Sequence, residues 1–140
     1  MSFVSDVKQW AENTGDDVDH VLRAVTLELA KDVIQSTPVD EGTARNGWFS
    51  GVNKNPGGRR AAKKTGQAAL DQLGREVEKF HVGDKFTLIN RIPYILKLEY
   101  GGSKQAPNGM LRRSIRRAKL VLRRKALETQ GKISANRYKV

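Results

Sequence analysis

The feature that most constrains this chain is an apolar stripe between Val18 and Ile34. Val18, Val21, Leu22, Val25, Leu29, Val33 and Ile34 recur at i, i+3, i+4 and i+7 spacing, the period of an α-helix with one buried face. Asp16 or Asp17 stands where an N-cap is needed, and Thr37-Pro38 ends the pattern because the residue before a proline avoids helical backbone. The stripe therefore predicts a core helix of about five turns. At 140 residues the chain is one domain's worth, so the rest is expected to pack around that helix.

Elements of both kinds flank it. Phe3, Val7 and Trp10 predict a short amphipathic helix before Asn13-Thr14-Gly15. Trp48, Phe49 and Val52 predict a short strand. Residues 53–66 are a Gly, Pro, Lys and Arg loop, expected to be too polar to pack. Ala69, Leu70, Leu73, Val77 and Phe80 make a second helical stripe, with Gly74 a weak spot inside it. Val82-Gly83-Asp84 is a turn, and Phe86, Leu88 and Ile92 alternate as a strand of five to seven residues. Ile89 breaks the alternation, which predicts cover on both faces. After Pro93, Tyr94 to Glu99 reads as a short helix turning Ile95 and Leu98 inward. Asn108 is placed to cap a last helix whose stripe is Leu111, Ile115, Ala118, Leu122 and Ala126. This pattern predicts a single α+β domain over 1–127, with 128–140 a C-terminal tail.

Charge is distributed unevenly. Residues 1–41 hold nine acidic and three basic side chains; residues 42–140 hold six and twenty-three, for a net +11 overall. Eight of the fourteen residues 112–125 are Arg or Lys. A helix so charged repels itself unless an anionic partner is present. Arg59, Arg60, Lys63 and Lys64 in the loop, with Arg112, Arg113, Arg116, Arg117, Arg123 and Arg124 in the helix, are the candidate basic surface. Its partner is either non-specific double-stranded DNA or the acidic half of a neighbouring copy, with Asp16, Asp17 and Asp19 as the acids.

The residue inventory argues against several chemistries. There is no Cys, so neither a disulfide framework nor a thiolate metal site is expected. His20 and His81 are isolated in sequence. Asp40 and Glu41 adjoin without a third ligand at useful spacing, and suit a turn better than an acid–base pair. No nucleophile–base pair or metal-ligand spacing stands out, and no cofactor is expected. No apolar run is long enough to span a bilayer, and MSFVSDVKQW lacks the basic and apolar regions of a signal peptide. The sequence predicts a soluble, non-enzymatic protein made in the cytoplasm, with no membrane partner.

Two stretches carry a family resemblance. Thr37-Pro38-Val39-Asp40-x-Gly42-x-x-Arg45-x-x-Trp48 resembles a signature of the tail-completion and neck proteins of tailed phages, the small tail components similar to the minor tail protein Z of lambda-like phages. Asn90-x-x-Pro93-Tyr94-x-x-x-Leu98-Glu99-Tyr100-Gly101, followed by Ser103-x-Gln105-Ala106-Pro107-x-Gly109-Met110-Leu111-Arg112, resembles that family's second signature. Glu41 departs from the Thr or Ser usual at that turn. The resemblance spans residues 18–117.

The resemblance implies a virion protein without catalytic activity. It implies a small, largely antiparallel sheet packed against long helices. It also implies a six-fold ring at the head–tail junction that joins the tail to the head connector around the DNA channel, with connector, tail terminator or tube proteins as partners. On that view Pro38, Asp40, Gly42, Arg45 and Trp48 form a turn signature. Tyr94, Leu98, Tyr100, Gln105, Pro107 and Met110 form a docking surface. The competing expectation is a small basic protein acting on nucleic acid, either a ribonuclease-type toxin or a DNA-binding regulator. The composition fits that, but the absence of an acid–base constellation weighs against it.

Overall fold

The computed structural model describes residues 5, 7–9, 12, 17–39, 42–102, 104–106, 109–120 and 123. Its elements are α1 (Val18–Ser36), α2 (Thr43–Asn46), β1 (Trp48–Val52), α3 (Gln67–Val77), β2 (Phe86–Asn90), α4 (Ile95–Glu99) and a helix α5 over 111–120. The fold is α+β, with a two-stranded antiparallel sheet packed against helices. Phe3, Trp10, Asp16, Asp40, Glu41, Pro107, Asn108, Leu122, Arg124 and the tail 128–140 lie outside the described residues.

Helix α1 begins where its N-cap requires. Asp17 is extended, and its carboxylate accepts the Asp19 N–H at 2.7 Å, satisfying one orphan donor of the first turn. At the other end the Thr37 N–H donates to Ile34 O, and the Thr37 hydroxyl donates to Val33 O at 2.8 Å. The buried face is Val21, Leu22, Thr26, Ala30, Val33 and Ile34. This shifts the expected stripe. Val25 and Leu29 are only half-buried, and Leu29 belongs to neither core cluster. The true seam runs through the small side chains Thr26 and Ala30, because axial separation between packed helices is set by the side chains at the contact.

Two apolar clusters hold the domain. The larger joins Ala30, Val33 and Ile34 of α1 to Trp48 of β1, to Ala69, Leu73 and Val77 of α3, and to Ala106 and Met110. The smaller joins Val7, Val21, Leu22 and Phe80. Phe86 packs on both, with its ring 5.4 Å from that of Phe80.

The sheet pairs Trp48 with Asn90, Ser50 with Leu88 and Val52 with Phe86. All five β2 residues are half-buried, as the broken alternation at Ile89 predicts. Side chains of Ile95 and Leu98 pack α4 onto the larger cluster, also as expected.

The 53–66 loop differs from its expectation. Pro56 is buried, and the Arg60 guanidinium turns inward. The loop is tied down at several points. Arg91 donates to Pro56 O and Asn55 Oδ1, and Asn46 Nδ2 donates to Ala61 O at 2.9 Å. Polar sequence packs here because its backbone carbonyls find side-chain donors.

Candidate interaction surface

The first signature folds into a knot at the end of α1. Pro38 is buried. Gly42 has φ +92°, and a Cβ there would lie 2.2 Å from the Lys63 carbonyl carbon, so only glycine fits. Arg45 reaches back across the knot. Its Nη2 donates to Gln35 O at 2.9 Å and Thr37 O at 3.1 Å, and its Nη1 donates to Lys64 O at 2.9 Å. It thereby satisfies carbonyls at the α1 C-terminus and adds a cation where the helix dipole favours one. Burial pulls the Arg45 pKa down, yet an arginine remains charged. Trp48 Nε1 donates to Thr37 Oγ1 at 2.8 Å, so the indole is both core and strut.

Neighbouring polar residues extend the knot. Asn46 Oδ1 accepts the Ala69 N–H at the start of α3, where Gly66 provides no side-chain cap. Arg60 donates to Trp48 O and Asn46 O and to Gln72 Oε1, and its guanidinium lies 3.9 Å from the Phe49 ring centre. Burial, with Arg75 adding to it, lowers its pKa. Arg60 is therefore a structural side chain and is removed from the basic surface.

The second signature is tied to the first. Gln105 Oε1 accepts the Val39 N–H at 2.9 Å and its Nε2 donates to Val39 O at 3.0 Å. Asn90 Nδ2 donates to Ala44 O at 2.8 Å. Within the second signature Glu99 is the hub. Its carboxylate accepts the backbone N–H groups of Met110, Leu111 and Arg112 and the Arg112 Nε, all at 2.9–3.0 Å. Burial alone raises the Glu99 pKa, but these hydrogen bonds outweigh it and the net displacement is downward.

The sequence pattern assigns this capping role to Asn108 and reads Glu99 only as the end of the short helix after Pro93. The sequence carries no local signal for the observed role, because Glu99 lies twelve residues before Leu111 and is brought to the start of α5 only by the intervening loop.

Several expected docking residues are corrected. Met110 is fully buried, with no exposed surface, and belongs to the core. Leu98 is half-buried against the same cluster. Gln105 is a brace between the signatures.

What faces solvent is the opposite side of α4, where Leu96 is 67% exposed and Tyr100 70%. Residues four apart share a helix face. Tyr94 is also exposed, and the Arg112 guanidinium stacks 4.7 Å from the Tyr100 ring centre.

The basic helix is rotated from its expected setting. Ser114 is buried and Leu111 is exposed, because Met110 and Ser114, four apart, face the core. Arg117 Nη1 donates to Asp32 of α1 at 3.1 Å, so it has an intrachain partner. Arg113 and Arg116 are exposed and make no hydrogen bond or ion pair among the described residues. Arg123, Arg59, Lys63 and Lys64 are exposed as well.

The acids expected to meet them are partly occupied: Asp17 caps α1, and Asp19 Oδ1 accepts the Val82 N–H at 2.8 Å. His20 and His81 are exposed. Among the described residues no cluster of three His, Asp or Glu side chains could hold a metal ion, and no helix is long and apolar enough to cross a membrane.

Compared with known proteins, the chain matches no family model, no curated protein and no solved structure.

Proposed function

We propose that this protein is a structural subunit of a phage head–tail junction, forming a ring that joins the tail to the head connector around the DNA channel. The observation that carries this reading is the solvent-facing apolar side of α4. Leu96 and Tyr100 are held outward on a short helix that is fixed from behind by Ile95, Leu98 and Glu99. Tyr and Arg are the residue types enriched at interface anchors, and here Tyr100 is exposed with Arg112 stacked on it. Arg113 and Arg116, without intrachain partners among the described residues, lie on the helix that Glu99 caps and supply charge for a neighbouring copy or for passing DNA.

The hydrogen bonds between the signatures support the same reading, because they make both stretches one braced unit whose polar groups serve structure. The test is complementation of tail assembly with Leu96→Ser and Tyr100→Ala together. The expected product is a folded protein that fails to complete tails. Infectious particles at normal yield would remove the docking role.

A further inference from the structure

The two edges of the sheet are treated differently. Asn53 N–H donates to Lys85 O at 2.8 Å, and the Lys85 N–H returns to the Asn53 side-chain Oδ1 at 2.9 Å, which places this pair at a hydrogen-bonded position of the antiparallel register. Such pairs alternate with non-bonded ones. Ser50 and Leu88, like Trp48 and Asn90, are therefore non-bonded pairs whose main-chain groups point away from the partner strand. The outer edge of β1 agrees: Ser50 N–H donates to Gln72 Oε1, and Trp48 O accepts from Arg60. That edge is covered by side chains.

The outer edge of β2 has no such hydrogen-bond partners among the described residues. By the same alternation, the N–H and C=O groups of Phe86, Leu88 and Asn90 point outward, and none has a partner among the described residues. An open strand edge of this kind is a template for another strand.

We propose that the β2 edge binds an extended, acidic segment of another protein as a third strand of the sheet. This does not depend on the virion reading. Phe86 and Leu88 lie on the core-facing side of β2, so alternate apolar side chains of the incoming strand would continue that face. Lys85, exposed just before β2 and without a side-chain partner among the described residues, favours an acid at the facing end of the segment, whereas Arg91 is held by Pro56 and Asn55. A second copy fits less well. Antiparallel self-pairing centred on Leu88 sets Lys85 opposite Arg91 at both ends, and each copy carries net +11.

The experiment uses the full chain and a heptapeptide of alternating valine and threonine with glutamate at both ends. Hydrogen exchange followed by NMR should find the Leu88 amide fast in the free protein and the Thr87 and Ile89 amides slow. Adding peptide should slow Leu88 by at least roughly tenfold. N-methylation of alternate peptide amides distinguishes the two faces. One isomer should lose about tenfold or more in affinity and the other should retain it, since only one set of amides joins the ladder. Lys85→Glu, at an exposed side chain, should weaken binding by roughly threefold.

A slow Leu88 amide in the free chain would mean the edge is already paired. Absence of peptide protection at millimolar concentration, or equal binding of both N-methylated isomers, would likewise overturn the proposal. Concentration-dependent protection of Leu88 without peptide would replace the acidic segment with a second copy.

Discussion

At the residue scale, three side chains join parts of the chain that are distant in sequence. Arg45 closes the end of α1, Trp48 braces Thr37, and Glu99 starts α5. Replacing Arg45 with Ala leaves the Gln35 and Lys64 carbonyls without this donor and should lower stability by about 2–3 kcal/mol in chemical denaturation. Trp48→Phe loses the Thr37 bond and also leaves part of the buried indole's volume empty, an expected loss of about 2–3 kcal/mol.

Glu99 makes a pH prediction. Its carboxyl is displaced below the ordinary glutamate value in the fold. So is Glu76, chiefly through the Lys54 hydrogen bond at 2.8 Å. Depressed folded-state values mean stability that is full above the unfolded pKa, about 4.3 for Glu, and is lost as pH falls through the folded values. Wild-type thermal midpoints should fall below about pH 4.3, and Glu99→Gln should flatten part of that fall. A Glu99→Gln curve parallel to wild type would show that the cap contributes nothing to acid sensitivity. Arg45 and Trp48 are visible in the sequence as a spaced motif. Their roles are not, since spacing does not say which carbonyl a guanidinium reaches.

At the scale of elements, the sequence is legible where periodicity is long. Both strands, the Val18–Ser36 helix and the second helical stripe are where the pattern puts them. Within α1, however, the apolar period marks Leu29 as core, while the structure buries Thr26 and Ala30 instead. Periodicity counts hydrophobicity, but the seam between α1 and α3 is chosen by how closely the helices approach. Leu22→Ala should therefore cost about 2–5 kcal/mol, while Leu29→Ala should cost clearly less. Equal losses would return Leu29 to the core.

The same limit misplaces the buried face of α5, where Met110 lies just before the first helical turn. Gly74 fares better: it sits inside α3, and a Cβ added to it would meet nothing within 4 Å. Gly74→Ala should raise stability by about 0.5–1 kcal/mol.

At the scale of the whole molecule, the uneven charge seen in the sequence is partly spent inside the chain. Arg117 pairs with Asp32, Arg112 with Glu99, and Asp17 and Asp19 hold backbone N–H groups. Only what remains can act between molecules. Among what remains are Arg113 and Arg116 on the basic side and, on the acidic side, Glu28, exposed on α1 without a partner among the described residues. If neighbouring copies use these charges, Arg113→Glu with Arg116→Glu should give a monomer with an unfolding midpoint close to wild type, because exposed substitutions change stability by no more than about 0.5 kcal/mol. Sedimentation should then show loss of the assembled species. Glu28→Lys in the same chain should restore part of it, and rising salt should dissociate the wild-type assembly. If DNA is the partner instead, the Arg-reversed protein should still assemble, and wild-type affinity for duplexes of any sequence should fall linearly in log–log plots against salt. Normal assembly by the double reversal, together with altered DNA retention in particles, would move these arginines from the subunit interface to the channel wall.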